Sequence, residues 1–112
     1  MPPAIGWLSR TEMDAMLAVP DRRTSQGRRE YALLLFLYNT GARVSEAVQL
    51  RVRDLTLARA RGGHDLATLL GKGGKVRQCP LWPETEQILA AEIHGRAADA
   101  AVFVSRLGEQ YT

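Results

Sequence analysis

The chain is poor in cysteine. Cys79 is its only one in 112 residues, so no disulfide can close within it, and a reducing, cytoplasmic setting is the expectation. Long apolar runs are missing too: the longest, Tyr31 to Tyr38, is far short of the roughly 20 residues that cross a bilayer, so no membrane partner is expected. No basic-apolar-small signal segment opens the chain. The two histidines, His64 and His94, lie thirty residues apart and neither stands at ligand spacing from Cys79, which argues against a metal site. Ser45 and Ser105 have no neighbouring histidine, which argues against a hydrolytic triad. Gly71-Lys72-Gly73-Gly74-Lys75 is not a nucleotide-binding loop, because no Ser or Thr follows the lysine and a strand follows where a helix is needed.

What is present is one domain or part of one, 46% apolar and 24% charged, the mixture of an ordinary globular protein. The formal charge of +3 hides an asymmetry. Between Arg22 and Arg77 there are twelve Lys or Arg and four acidic residues, whereas the flanks hold three basic and eight acidic ones. Such a basic middle fits either a solvated face or a surface that meets a polyanion, most often nucleic acid.

Periodicity and punctuation predict mainly helical structure with a small antiparallel β-sheet, an α+β arrangement. Ser9 or Thr11 caps a first helix, with Leu8, Met13, Met16 and Leu17 as its apolar stripe. Pro20 and the polar run to Gly27 end it. A second helix from about Gln26 to Asn39 is apolar on nearly every side and is the expected centre of the core, with Gly41 as its stop. A third is expected from Ala42 to Leu50, burying Val44, Ala47, Val48 and Leu50, then a short strand at Leu55-Thr56-Leu57 and a polar loop from Arg59 to Asp65. Leu66 to Leu70 and Val76 to Pro80 read as the arms of a hairpin around the glycine-rich turn, and Pro83 starts a last helix through about His94. A small apolar run, Val102-Phe103-Val104, follows.

Chemistry concentrates at Arg43 and Glu46, three apart where the apolar helix stops. On spacing they form either a surface ion pair contributing at most about 1 kcal/mol or part of a site. Thr40-Gly41-Ala42-Arg43-Val44-Ser45-Glu46, followed by Leu50, Asp54-Leu55, the hairpin Gly71-Lys72-Gly73-Gly74-Lys75-Val76-Arg77 and Pro80-Leu81, resembles the tyrosine recombinase (phage integrase) family in the first part of its catalytic domain. The resemblance runs from about Leu8 to Thr112. It implies a DNA breaking-and-rejoining fold, and a site-specific recombinase that cuts and rejoins double-stranded DNA through a 3′-phosphotyrosyl intermediate, with no metal or nucleotide cofactor. Integrases, resolvases and transposase-like members share these boxes, and they work as several protomers on DNA.

By the same resemblance Arg43 is the first of two arginines that neutralise the reacting phosphate. A guanidinium suits this because its planar fork donates two aligned hydrogen bonds and does not deprotonate. Glu46 is expected to orient Arg43. Lys72 is expected to act as general acid on the departing 5′-oxygen, with Lys75 as the alternative. Lys75, Arg77 and Thr40 are expected at the DNA interface. The second family box, His-x-x-Arg followed by the nucleophilic tyrosine, does not occur: neither His64 nor His94 has an arginine three residues on, and Tyr111 precedes where that box would begin. Residues 1–112 are therefore expected to be inactive alone, to lack the family's amino-terminal clamp, and to self-associate through apolar faces left bare. A non-catalytic DNA-binding or interaction module using the same basic surface is the competing expectation.

Overall fold

The computed structural model describes residues 9–58 and 62–103, with Lys72 described by its main chain only. Among these residues four helices, α1 (Arg10–Leu17), α2 (Ser25–Thr40), α3 (Val44–Val48) and α4 (Pro83–Ile93), accompany a sheet of β1 (Leu55–Thr56), β2 (Leu66–Leu70) and β3 (Val76–Pro80). The sheet is antiparallel in the order β1-β2-β3, with Leu69 opposite Arg77 and Leu70 opposite Val76. The expected α+β class is the one observed.

Helix α1 starts where a capping box forms: Ser9 Oγ accepts from the Glu12 N–H at 3.1 Å, and Glu12 Oε1 accepts from the Ser9 N–H at 2.9 Å. Its stripe is narrower than expected. Met13 is buried but Met16 is exposed. Helix α2 is capped by Thr24, whose Oγ1 accepts from the Gly27 N–H at 2.9 Å, and before its last residue, Thr40, it has no β-branched residue to resist helix. Phe36, fully buried, meets Phe103 with ring centroids 5.3 Å apart, while Tyr38 packs edge-on against Trp82 at 5.4 Å. Ala67 and Leu69 of β2, Leu89 of α4, Ala47 of α3 and Leu50 complete the core around α2.

Helix α3 is shorter than the expected Ala42–Leu50. Arg43 is its N-cap in extended conformation, so Val44 becomes the first helical residue and points outward at 57% exposure, correcting its expected burial. Leu50 is still buried, but from the segment after the helix. That segment is pinned by Leu50 O accepting from the Val102 N–H at 3.0 Å and by the Val52 and Arg53 N–H groups donating to Ala100 and Ala98. The polar loop before β2 also ends differently: Asp65 is buried, and its carbonyl accepts from the Leu81 N–H at 3.0 Å. Val104 and Tyr111 lie outside the described residues.

Candidate functional site

Arg43 is held by its main chain and released at its side chain. Helix α2 ends because Gly41 takes φ +69°, and its N–H donates to Leu37 O at 2.9 Å. Thr40 Oγ1 tightens the exit, donating to Phe36 O at 2.8 Å and accepting from the Ala42 N–H at 3.1 Å. Ala42 is buried, which fixes where Arg43 emerges. The Arg43 carbonyl then accepts from the Glu46 and Ala47 N–H groups at 2.9 and 3.1 Å, and its own N–H donates to Glu46 Oε1 at 2.8 Å. Among the described residues its exposed guanidinium has no ion-pair partner.

Arg43 and Glu46 therefore meet, but not as the side-chain ion pair that their spacing allows. The Glu46 carboxylate, 8% exposed, instead receives Arg77: Nη1 donates to Oε2 at 3.2 Å and Nη2 to Oε1 at 3.4 Å. Strand alternation explains the choice. Arg77 and Cys79 share the side of β3 that faces with Leu69 and Ala67 toward the core, so Arg77 lies across the sheet end against α3. The Cys79 side chain holds the Arg77 guanidinium above its ordinary pKa against an opposing effect of burial that is second in size, and the Glu46 carboxylate adds to the rise.

The hairpin turn completes the site. The Gly71 N–H donates to Lys75 O at 2.7 Å, a 3₁₀ turn spans Lys72–Gly74, and Gly73 and Gly74 take φ +75° and +76°, which only glycine adopts without strain. Gly71 has an ordinary φ but a crowded neighbour: a Cβ there would lie 3.3 Å from Glu46 Oε2. An open groove of about 730 Å³ results, lined by Arg43, Ser45, Gln49, Lys75, Val76 and Arg77 among others. Arg43, Glu46, Lys75 and Arg77 are thus brought together, and the Lys72 main chain stands next to Gly71 on the groove wall. Thr40 is not in this groove; it borders a separate depression with Gln78 and Trp82. No group of three or more His, Cys, Asp or Glu placed to hold a metal ion occurs among the described residues.

Sequence reasoning missed Asn39. It is buried, its Nδ2 donating to Pro80 O at 3.0 Å and its Oδ1 accepting from the Trp82 N–H at 2.8 Å, which ties the end of α2 to the link between β3 and α4. A lone asparagine in the last turn of an apolar helix was the available signal.

The groove thus places an exposed guanidinium beside a lysine-bearing, glycine-rich turn, with the buried Glu46 carboxylate holding the main chain behind them. The comparisons agree on the kind of protein. The phage integrase family matches residues 6–112, and the chain belongs to that family. It is 38% identical over 109 residues to a putative integrase/recombinase, y4rD, of Sinorhizobium fredii, covering 94% of this chain and 38% of that protein. It is 36% identical over 107 residues to the tyrosine recombinase XerD of Neisseria meningitidis, covering 88% of this chain and 35% of that one. Its fold superposes with a TM-score of 0.70 and 25% identity on the XerH site-specific recombinase bound to its difH substrate in a pre-cleavage complex, over 99% of this chain and 33% of that one. The chain spans 33% to 38% of the length of these relatives.

Proposed function

We propose that residues 1–112 form the part of a tyrosine-type site-specific recombinase that grips the phosphate of double-stranded DNA where the strand is cut. Arg43 donates to the non-bridging oxygens, Glu46 fixes the turn that aims Arg43, and Lys72 protonates the departing 5′-oxygen from the hairpin. Lys75 meets neighbouring phosphates. The observation that carries this reading is the contrast at Arg43: three main-chain hydrogen bonds and a guanidinium without an ion-pair partner among the described residues, facing a groove it shares with Lys75. Family membership and the fold shared with a DNA-bound recombinase support it.

The chain should bind mixed-sequence duplex DNA with an affinity that falls steeply between about 50 and 200 mM salt, as counterions are released from the contacted phosphates. Affinity insensitive to salt would refute the reading. In a recombinase that carries these residues together with a nucleophilic tyrosine, Lys72→Ala should slow cleavage of ordinary DNA and spare a substrate whose 5′-bridging oxygen is sulfur, because a thiolate departs without a proton. Equal loss on both substrates would reduce Lys72 to a binding role.

A second reading, a self-associating interaction module, is favoured by one feature. Leu70 and Val76, paired across β2 and β3, are 51% and 63% exposed at the sheet end beside the groove. Sedimentation showing a monomer at every concentration would remove it.

A further inference from the structure

Glu46 is a buried carboxylate with a choice of two arginines, and it divides itself between them. Oε1 takes the main-chain N–H of Arg43, while both oxygens take the guanidinium of Arg77, thirty-one residues later. A carboxylate this far from water is held in place only if a cation compensates it, and Arg77 is the cation that does so. Gly71 supplies the remaining condition, since a side chain there would press on Oε2. One carboxylate therefore joins the Arg43 turn, helix α3 and the lysine hairpin.

We propose that Arg77 is a positioning residue: through Glu46 it sets the register between the hairpin and the Arg43 turn, and it is not itself a phosphate ligand. The purpose of that register rests on the DNA reading above; the mechanical link does not. The fork of Arg77 is directed into Glu46 and its charge is matched there, whereas Lys75, exposed at the end of the turn, has its ammonium available to the groove. Without Arg77, the Glu46 carboxylate turns to water, and the Arg43 N–H loses its acceptor.

The test combines amide hydrogen exchange by NMR with DNA binding, on the 112-residue chain. Arg77→Gln is expected to speed exchange of the Arg43 amide about tenfold or more relative to the Phe36 amide, which reports the fold. It is expected to leave the slope of log affinity against log salt unchanged, while Lys75→Gln flattens that slope by about 0.9. Arg77→Lys keeps the charge but not the fork and should restore less than half of the lost protection. An Arg43 amide that exchanges as in the wild type overturns the proposal, and so does an Arg77→Gln slope that falls by about 0.9. If Arg77→Gln does not fold, Glu46→Gln is read instead: it keeps an acceptor for Arg43 but not the charge that Arg77 grips, so protection should again fall, and full protection overturns the proposal. Should the wild-type chain bind no DNA, the proposed DNA grip fails, while the amide measurement still decides the role of Arg77.

Discussion

Glu46→Gln removes one charge from the site while keeping the shape of the side chain, and its two consequences should have opposite signs. Stability falls. With the charge centres roughly 4 Å apart, the Glu46–Arg77 attraction is about 1 kcal/mol in water and about 4 kcal/mol at an effective dielectric constant of 20. Arg77 is 48% exposed, so the lower end applies, near the ~1 kcal/mol typical of partly solvated pairs. The glutamine Oε1 still accepts from the Arg43 N–H, losing only the charge assistance, about another 0.5–1 kcal/mol. A total of about 1–2 kcal/mol corresponds to a drop in Tm of roughly 5–15 °C for a domain of this size. Non-specific DNA binding, by contrast, strengthens: a negative charge leaves the groove and Arg77 is freed to meet a phosphate, so the salt slope steepens by about 0.9. Thermal melts followed by circular dichroism and DNA titrations by fluorescence anisotropy at several salt concentrations measure both. An unchanged Tm with an unchanged or flatter slope would refute the reasoning, because Glu46 would then hold neither arginine.

Three other perturbations test the frame around the site. Gly27→Ala, which in an ordinary helix stabilises by about 1 kcal/mol, should here cost about 2–4 kcal/mol, since the new Cβ would lie 1.8 Å from Asp21 O and must displace the loop that carries the Thr24 cap; a raised Tm would contradict it. Asn39→Ala should cost about 1–3 kcal/mol in denaturant unfolding by taking the shared partner from the part-buried hydrogen bonds of the Trp82 N–H and the Pro80 carbonyl, and a change below about 0.5 kcal/mol would count against the lock. The Glu12 carboxyl is held below its ordinary pKa, first by the Ser9 N–H and then by the Ser9 hydroxyl. Its support of α1 is therefore present above the usual carboxylate range and lost as pH falls through the lowered value, so the Met13 amide should lose protection in acid, and Ser9→Ala should weaken that pH dependence. The same pH response in Glu12→Gln would show that the capping box is not its source.

Local rules made much of this fold legible. The leucine run from Tyr31 to Tyr38 had to be central because no face of it is polar, and glycines marked both the end of α2 and the hairpin turn. The boundaries of α3 were less legible, since an extended N-cap at Arg43 rotates Val44 to the outside and nothing in the residue types signals that rotation. Spacing paired Glu46 with Arg43, its neighbour in sequence, and left Arg77 among the DNA contacts. The ion pair forms instead with Arg77, because the register of β2 with β3 delivers that residue to the end of α3, and register is a tertiary property. The lone Asn39 in an apolar helix was a visible oddity, but its role was hidden for the same reason: both of its partners lie more than forty residues away.

The central claim, that Arg43 and the lysine hairpin form one phosphate grip, is tested most directly by following arginine side-chain and backbone NMR signals while duplex DNA is added to the chain. The Arg43 guanidinium and the Gly71–Lys75 amides are expected to shift first and together, with the Arg77 guanidinium remaining on Glu46. Shifts confined to the basic segment from Arg22 to Arg29, which runs into the first turns of α2, with Arg43 unmoved, would contradict it.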